Sequence, residues 1–351
     1  MVFSSSYIFA QEKMGDGFFF LKKQFLFSMI GFIGMLVLSQ VHYGFFEKYS
    51  YLILILAVLI LAATLIPGVG LKVGGAQRWV HFFGLQFQPS ELLKIALVIA
   101  IAKRLAHKYE KIHQFTAGVL GNFLVLLPAL VLLMSQPDFG TTAVICAVVF
   151  VLMFVAGVPF LYLFATSFTA LSVLASLIYF SPYRLARFQA FLDPWSDPLG
   201  KGFQILQSFI GLQEGGIFGI GLGNGKEKLF FLPEAHNDFI FSVIGEELGF
   251  LGVMFVVVLF SCFVFRGLKI GWNSLNDHDD RFGFLLAVGI TMLIGLQAFI
   301  NMAVVVGALP TKGLTLPFIS YGGSSILMNL LAVGILLSVS KGPKLVSVRK
   351  G

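Results

Sequence analysis

Segment 232–249, LPEAHNDFIFSVIGEELG, concentrates ionisable residues at the start of an apolar run that continues to residue 265. Glu234, His236 and Asp238 lie at its entrance, and Glu246 and Glu247 follow. Because charged side chains are costly inside a bilayer, carboxylates where a membrane helix begins indicate a functional site. A carboxylate that acts as a general base is the most economical chemistry for such a cluster.

Asp238 is the candidate base, because it stands at the junction of a loop and a helix. Capping of the helix that starts there is a simpler explanation of an aspartate at this position, and the two roles are compatible. Glu234 and His236 are candidates for positioning Asp238 or a substrate. Glu246 and Glu247 follow more than two helical turns later, so we expect them to serve packing or helix pairing.

The composition predicts an integral membrane protein. Of the 351 residues, 58% are hydrophobic and only 12% are charged, and the mean hydropathy is +0.92. An ordinary globular domain could not keep so much apolar surface out of water. Cys146 and Cys262 both lie inside apolar runs, which favours two buried thiols over a disulfide or a metal site.

Nine apolar stretches are long enough to cross a bilayer, which takes about 20 residues. They lie near residues 22–42, 50–68, 89–105, 115–135, 139–157, 159–180, 238–265, 282–308 and 318–340. The first ten residues are apolar but too short to span, and we interpret them as the tail of a further helix whose beginning is missing. The predicted fold is therefore an all-α integral membrane protein, a polytopic bundle of about ten transmembrane helices.

Lysine and arginine in the short loops predict the orientation of these helices. Basic clusters follow the stretches that end near residues 105, 265 and 340, and all three ends fall on one side if the spans alternate. That side should be cytoplasmic, although Lys22 and Lys23 then lie near the outer face. Residues 181–237 become one large extracytoplasmic loop within a single transmembrane domain that covers 1–351.

The long loop is predicted to be functional rather than disordered, because it is rich in aromatic and aliphatic residues. Its GIGLGNG sequence lacks the glycine spacing and the flanking strand and helix of a nucleotide-binding loop. A turn, or backbone that lies close to a ligand, is the better interpretation.

Three further blocks place charge near predicted membrane helices. In QPSELLK, Glu91 and Lys94 share one helix face, either as a structural ion pair or as part of a site. In SQPDFGTT, Asp138 is either a helix N-cap or a ligand-binding residue. In GGAQRWVHFFG, Arg78 is either the snorkelling cation of an interfacial helix or an anion-binding residue.

Helix-breaking residues precede the last predicted span in ALPTKGLTLPFISYGGSS. Irregular backbone at membrane depth is tolerated where it is buried in protein or lines a cavity, so this block predicts a cavity wall. The predicted substrate-binding residues of this block are the polar Lys312, Ser320 and Ser324 and the small Gly322 and Gly323. No zinc-ligand spacing, phosphate-binding loop or serine elbow occurs in the sequence.

Five sequence blocks resemble the signature blocks of the SEDS family of shape, elongation, division and sporulation proteins. They are LPEAHNDFIFSVIGEELG, QPSELLK, QPDFGT, RFQAFLDPWSDPLGKGFQ and NMAVVVGALPTKGLTLPFISYGGSS. They occur in the order of the family and cover nearly the whole chain, from about Tyr7 to Lys341. The PEAH sequence before Asp238 is closer to the division branch of the family than to the elongation branch.

The resemblance implies a ten-helix peptidoglycan glycosyltransferase that polymerises lipid II at the outer face of the cytoplasmic membrane, with release of polyprenyl diphosphate. By this resemblance, Asp238 is the essential aspartate, and functional roles are also implied for Arg78, Glu91, Lys94 and Asp138. It also implies a class B penicillin-binding transpeptidase of the FtsI type and other divisome proteins as partners, at the septum. Membrane lipids surround the protein, and no nucleic-acid partner is expected.

The mechanism that follows is a single inverting displacement in which Asp238 deprotonates the acceptor hydroxyl. The diphosphate needs compensating charge from Arg78, Lys94 or Lys201, or from a divalent cation such as Mg²⁺ or Mn²⁺. Other functions stay open: a lipid II flippase, an elongation-type polymerase, or a scaffold for a transpeptidase.

Overall fold

The computed structural model describes residues 1–73, 76–82, 85–200, 202–226, 237–311 and 313–342. Within these residues the chain forms twelve α-helices and three β-strands. The elements are α1 (Val2–Met14), α2 (Phe19–Gln40), α3 (Gly44–Ala63), β1 (Gly70–Val73), β2 (Ala76–Phe82), β3 (Leu85–Phe87), α4 (Pro89–His107), α5 (Gly121–Ser135), α6 (Phe139–Val155), α7 (Phe160–Tyr179), α8 (Pro182–Leu192), α9 (Phe203–Gly215), α10 (Ile240–His278), α11 (Arg281–Val305) and α12 (Gly323–Ser340).

Each of the nine predicted spans overlaps a helix, which confirms the predicted all-α membrane fold. Among the described residues, six helices are long and apolar enough to cross a membrane: α2, α3, α5 with the turn before it, α10, α11 and α12. α6 and the first part of α7 are shorter apolar helices. α4 is 19 residues long but carries several charged side chains. The predicted long loop contains two helices of its own, α8 and α9.

The segment around Arg78 is a strand, so the prediction of an interfacial helix there is wrong. β2 pairs antiparallel with β1 and with β3, and Val80 stands opposite Gly70 and Phe87. The run from Arg78 to Phe82 contains valine and aromatic residues, which suit a pleated and half-buried surface better than a helix. The sheet is an exception to the helical architecture of the described chain.

The chain divides into two compact units. The first unit comprises Met1–Phe27, Leu161–Cys262 and Ile294–Ile326, and the second comprises Ser28–Phe160, Phe263–Leu293 and Leu327–Gly351. In the second unit, α4 lies at the centre and contacts α3, α5, α6 and β2. Leu93, Leu97, Ile101 and Leu105 of α4 are fully buried. A helix that is apolar on nearly every face needs neighbours on all sides, and α4 has them.

In the first unit, serine side chains join neighbouring helices. The Ser208 hydroxyl of α9 donates a hydrogen bond to the carbonyl of Val305 at the end of α11, at 3.0 Å. The Ser242 hydroxyl of α10 donates to the carbonyl of Ser208, also at 3.0 Å. Small polar residues allow close approach of membrane helices and link them by hydrogen bonds. These bonds fix the beginning of α10 against α9 and α11.

α10 is interrupted by a kink at Gly249, whose φ of 67° and ψ of −166° are not helical. The segment after α9 supplies the hydrogen bonds that the helix loses there. The N–H groups of Ile220 and Gly221 donate to the carbonyls of Glu246 and Glu247, at 3.0 and 3.1 Å, and the N–H of Phe250 donates to the carbonyl of Gly216 at 2.9 Å. The first half of the GIGLGNG motif therefore replaces helical hydrogen bonds.

The side chains of Glu246 and Glu247 are fully buried beside this kink. The Ser4 hydroxyl of α1 donates to both carboxylate oxygens of Glu247, at 2.6 and 2.8 Å. The N–H of Lys226 donates to Glu246 Oε1 at 2.5 Å. Glu247 thus joins α1 to α10, and Glu246 anchors the end of the glycine-rich loop.

We expect Gly249→Ala to destabilise the protein markedly. This φ and ψ combination is almost confined to glycine, and its strain alone costs about 1–3 kcal/mol for another residue. A Cβ at this position would also lie 2.3 Å from the Gly219 nitrogen. The measurement is the melting temperature in detergent. Gly271→Ala in the same helix is the control, since its Cβ comes no closer than 3.2 Å to a neighbour. Equal melting temperatures for both variants would contradict the role of the kink.

Candidate functional site

Asp238 lies in a turn just before α10, half-buried, and side chains of the first unit hold its main chain. The Asn301 amide of α11 donates a hydrogen bond to the carbonyl of Asp238 at 2.8 Å. The Ser320 hydroxyl donates to the carbonyl of Asn237 at 2.6 Å. Two consecutive carbonyl groups are therefore fixed by side chains, and the direction in which the Asp238 side chain leaves the backbone is fixed with them.

The irregular segment 313–320, between α11 and α12, passes beside the Asp238 carboxylate. A Cβ built on Gly313 would lie 3.3 Å from Asp238 Oδ2, so the backbone approaches the carboxylate closely. Asn301 also donates to the carbonyl of Leu314 at 2.6 Å, and Gln297 donates to the carbonyl of Thr315 at 3.0 Å. These contacts give the irregular backbone partners that lipid could not provide.

The small and polar residues at the start of α12 complete this wall of the first unit. Gln24 of α2 donates to the Ser320 carbonyl and accepts from the Gly322 N–H, each at 3.2 Å. Gly323 packs against the ring of Phe27, and Ser324 is buried. The structure thus brings the predicted residues Ser320, Gly322 and Gly323 into one region with the Asp238 turn.

In the second unit, Glu91 and Lys94 form a buried ion pair at the start of α4. Lys94 Nζ lies 2.9 Å from Glu91 Oε1, and the two side chains are 3% and 8% exposed. Pro89 begins the helix, where a proline is tolerated because its missing N–H has no helical partner. The ion pair is therefore present, and a role of Glu91 and Lys94 in a substrate site stays a prediction.

Asp138 caps α6. Its Oδ1 accepts a hydrogen bond from the Thr141 N–H at 3.2 Å, and its Oδ2 accepts from the Thr141 hydroxyl at 2.9 Å. The residue is 3% exposed. The capping role is therefore present, and a ligand-binding role for Asp138 stays a prediction.

Arg78 binds the connection that leads to Asp138. Its Nε donates to the carbonyl of Gln136 at 3.0 Å, and its Nη2 donates to the carbonyl of Pro137 at 2.6 Å. Gln136 in turn donates to the hydroxyl of Thr64. The planar guanidinium thus links β2 to the connection between α5 and α6, with two donors in the fork geometry that lysine lacks. Arg78 and the cap of α6 form one cluster of the second unit.

Four predicted site residues, Lys201, Glu234, His236 and Lys312, lie outside the described residues. Three contributors to the Asp238 region, Asn301, Gln297 and Gln24, were not predicted from the sequence. Asn301 is an amide inside an apolar run, and Gln24 follows Lys22 and Lys23 near the start of another. A polar side chain at membrane depth is itself a signal of a functional or packing role.

The arrangement offers one type of chemistry in the first unit. A half-buried carboxylate on a rigid main chain can accept a proton from a bound hydroxyl group. No group of three or more His, Cys, Asp or Glu side chains that could hold a metal ion occurs within the part of the chain that the structure describes. Mg²⁺ commonly combines one or two carboxylates with phosphate oxygens of a substrate, so the Asp238 carboxylate is compatible with a metal ion that binds together with a phosphorylated substrate.

We expect Lys94→Met alone to lower the free energy of unfolding by about 3–5 kcal/mol, because it leaves the Glu91 charge buried without this partner. The double variant with Glu91→Gln should recover most of the loss, since neither charge of this pair then remains. The stability of the single and the double variant is measured as the melting temperature in detergent. A double variant no more stable than Lys94→Met would argue against a structural ion pair.

Comparisons with known proteins agree with this architecture. The family model for FtsW, RodA and SpoVE, described as cell cycle protein, matches residues 1–344. The probable peptidoglycan glycosyltransferase FtsW of Geobacter sp. (strain M18) is 45% identical over 340 residues, which cover 97% of this chain and 92% of that protein. The stage V sporulation protein E of Bacillus subtilis (strain 168) is 40% identical over 341 residues, with coverage of 97% and 92%.

Solved structures show the same fold. A chain of a peptidoglycan synthase complex that coordinates polymerization and crosslinking matches with a TM-score of 0.79 and 31% identity, over 97% of this chain and 94% of that one. The Rod shape determining protein RodA of Thermus thermophilus matches with a TM-score of 0.69 and 27% identity, over 97% and 93%. The chain therefore belongs to the FtsW, RodA and SpoVE family of cell cycle proteins, which is the SEDS family indicated by its sequence blocks.

Proposed function

We propose that this protein is a peptidoglycan glycosyltransferase that polymerises lipid II into glycan strands during cell division. Relatives at 45% identity are named as probable peptidoglycan glycosyltransferases FtsW, and they align over nearly the whole chain. The observation that carries the chemical proposal is the half-buried Asp238, whose turn is held by Asn301 and Ser320 at the entrance of a membrane helix. A base at this position can meet the sugar of a lipid whose chain stays in the membrane.

The reaction is a single displacement at the anomeric carbon. Lipid II carries its sugars on an α-linked diphosphate, and the glycan formed is β-1,4, so the configuration at C1 inverts. Asp238 takes the proton from the 4-hydroxyl of the acceptor GlcNAc while that oxygen attacks C1 of the donor MurNAc. The bond from C1 to the diphosphate oxygen breaks, and polyprenyl diphosphate leaves with the bonding electrons. One base is enough, because the diphosphate is a good leaving group without protonation.

The negative charge of the leaving group needs cations. Arg78 and Lys94 already bind carbonyl groups and the Glu91 carboxylate, respectively. This engagement favours positioning and structural roles for the two residues over direct capture of the diphosphate. We assign the compensation to Lys201 and to a divalent cation, which would bind with the substrate and would neutralise the charge of the diphosphate. We propose that the half-buried backbone at Gly322 and Gly323 faces the sugars and that the buried Ser320 and Ser324 support it.

The protein is a multi-pass membrane protein, given its six spanning helices among the described residues and its family. We propose the cytoplasmic membrane at the division septum as its location, with 181–237 and the Asp238 turn on the outer side. Its likeness to a chain of a peptidoglycan synthase complex that polymerises and crosslinks supports a crosslinking partner. We propose a class B penicillin-binding transpeptidase of the FtsI type, together with other divisome proteins.

We expect Asp238→Asn to reduce polymerisation by about 10²–10⁴-fold, the usual contribution of a general base. Folding and lipid II binding should persist, because asparagine keeps the size of the side chain. The measurement is glycan formation from labelled lipid II by the purified protein, alone and with its transpeptidase partner. Asp16→Asn is the control, and this substitution should not change the rate. The exposed Asp16 carboxylate accepts a hydrogen bond from Lys22, which lowers the pKa of Asp16.

The products of this assay also separate the alternative functions. Glycan strands identify a polymerase, whereas transfer of lipid II across a reconstituted bilayer without polymer identifies a flippase. A wild-type rate for the Asp238→Asn variant would overturn the assignment of the base.

We expect chelation of divalent cations to slow polymerisation and added Mg²⁺ or Mn²⁺ to restore it. The diphosphate that departs carries charge that a divalent cation neutralises directly. The rate is measured after EDTA treatment and again with each metal added back, with the melting temperature as the control for folding. A rate that EDTA leaves unchanged would assign the compensation to protein cations alone.

A further inference from the structure

The amide of Asn301 connects two parts of the first unit that flank the candidate base. Asn301 lies in α11, four residues before the end of that helix, and is 2% exposed. Its Nδ2 donates to the carbonyl of Asp238 at 2.8 Å and to the carbonyl of Leu314 at 2.6 Å. We propose that Asn301 is the positioning residue of Asp238, an inference that rests on the proposed function of Asp238 as general base.

The amide group of Asn301 acts as a donor only. An asparagine amide has two hydrogens, and each of them has one carbonyl acceptor here. Its Oδ1 is buried and accepts no hydrogen bond from any residue that the structure describes. A buried acceptor without a partner is costly, so the value of this residue lies in its two donated bonds. Removal of the NH₂ group alone would therefore remove the whole function of the side chain.

The two bonds set the distance between the base and the wall beside it. One bond holds the turn that carries Asp238, and the other holds segment 313–320 at Leu314, one residue after Gly313. The backbone at Gly313 is where a Cβ would come within 3.3 Å of Asp238 Oδ2. Since one amide holds both partners, the carboxylate and the neighbouring backbone keep a fixed separation.

Ser320 provides a second fixation of the same turn. Its hydroxyl donates to the carbonyl of Asn237 at 2.6 Å and accepts from the N–H of Leu316 at 2.7 Å. Segment 313–320 therefore contacts the turn through Ser320 directly and through Asn301 indirectly. Loss of Asn301 should leave the turn attached but free to rotate about the remaining bond, so the carboxylate would be misplaced rather than lost.

Gln297 gives a matched control one helical turn earlier. It is also a buried amide of α11, and it also donates to segment 313–320, at the Thr315 carbonyl 3.0 Å away. The same amide nitrogen also lies 3.4 Å from the Thr315 hydroxyl, so this donor binds segment 313–320 at one residue. Asn301→Leu and Gln297→Leu each replace an amide of α11 with an apolar side chain, so a purely structural effect should be similar in both.

The test compares these variants in full-length protein reconstituted with labelled lipid II. We expect Asn301→Leu to lower kcat by about 10–10²-fold with KM within about threefold, as a displaced catalytic group does. Gln297→Leu loosens segment 313–320 but leaves the Asn301 and Ser320 bonds to the Asp238 turn, so its loss of kcat should be at least about threefold smaller than that of Asn301→Leu. Melting temperatures of both variants show whether they fold. If Asn301→Leu does not fold, Asn301→Ser takes its place, because the single hydroxyl donor of serine cannot bond both carbonyl groups.

A double variant distinguishes positioning from general damage. If Asn301 acts through Asp238, adding Asn301→Leu to Asp238→Asn should lower the rate no further than Asp238→Asn does alone. Additive losses, a wild-type kcat for Asn301→Leu, or equal losses for Asn301→Leu and Gln297→Leu would each overturn the positioning role. A wild-type rate for Asp238→Asn would instead refute the proposed base, whatever Asn301→Leu does, so the two failures are distinguishable.

Discussion

Main-chain groups that leave helical geometry in a membrane protein must find hydrogen-bond partners within the protein, because lipid offers none. This constraint organises the first unit. At the kink of α10, the segment after α9 replaces the missing helical bonds. At the Asp238 turn and segment 313–320, the side chains of Asn301, Ser320 and Gln297 do so. Both of these irregular stretches are held by named donors.

The same constraint makes the candidate site rigid. A catalytic carboxylate must be held close to its working geometry, and a carboxylate on a loop needs supporting hydrogen bonds to reach that precision. The chain places Asp238 in a turn just before α10 and fixes that turn through its carbonyls. The carboxylate itself is then left to interact with neighbouring groups and with a substrate. The carbonyl groups thus make the backbone rigid, while the carboxylate oxygens of Asp238 serve its chemistry.

Charged residues of the second unit have a different role. Arg78, Asp138 and the pair of Glu91 and Lys94 bind carbonyl groups, helix ends or each other. Such contacts satisfy groups that would otherwise be costly to bury. Family resemblance assigns these residues to function, and their geometry indicates that they act by holding β2, α4 and α6 in place.

Hydropathy determined the membrane class and a helix at each of nine stretches, because about 20 apolar residues in a row have few other stable states. The sequence blocks also determined the family and the candidate base Asp238. Local pattern predicted a helix at Arg78, where pairing with β1 and β3 produces a strand. Only the tertiary structure decided that Asn301, 63 positions away, holds the Asp238 turn. Hydrogen bonds between distant residues depend on how helices pack, and no local spacing encodes that.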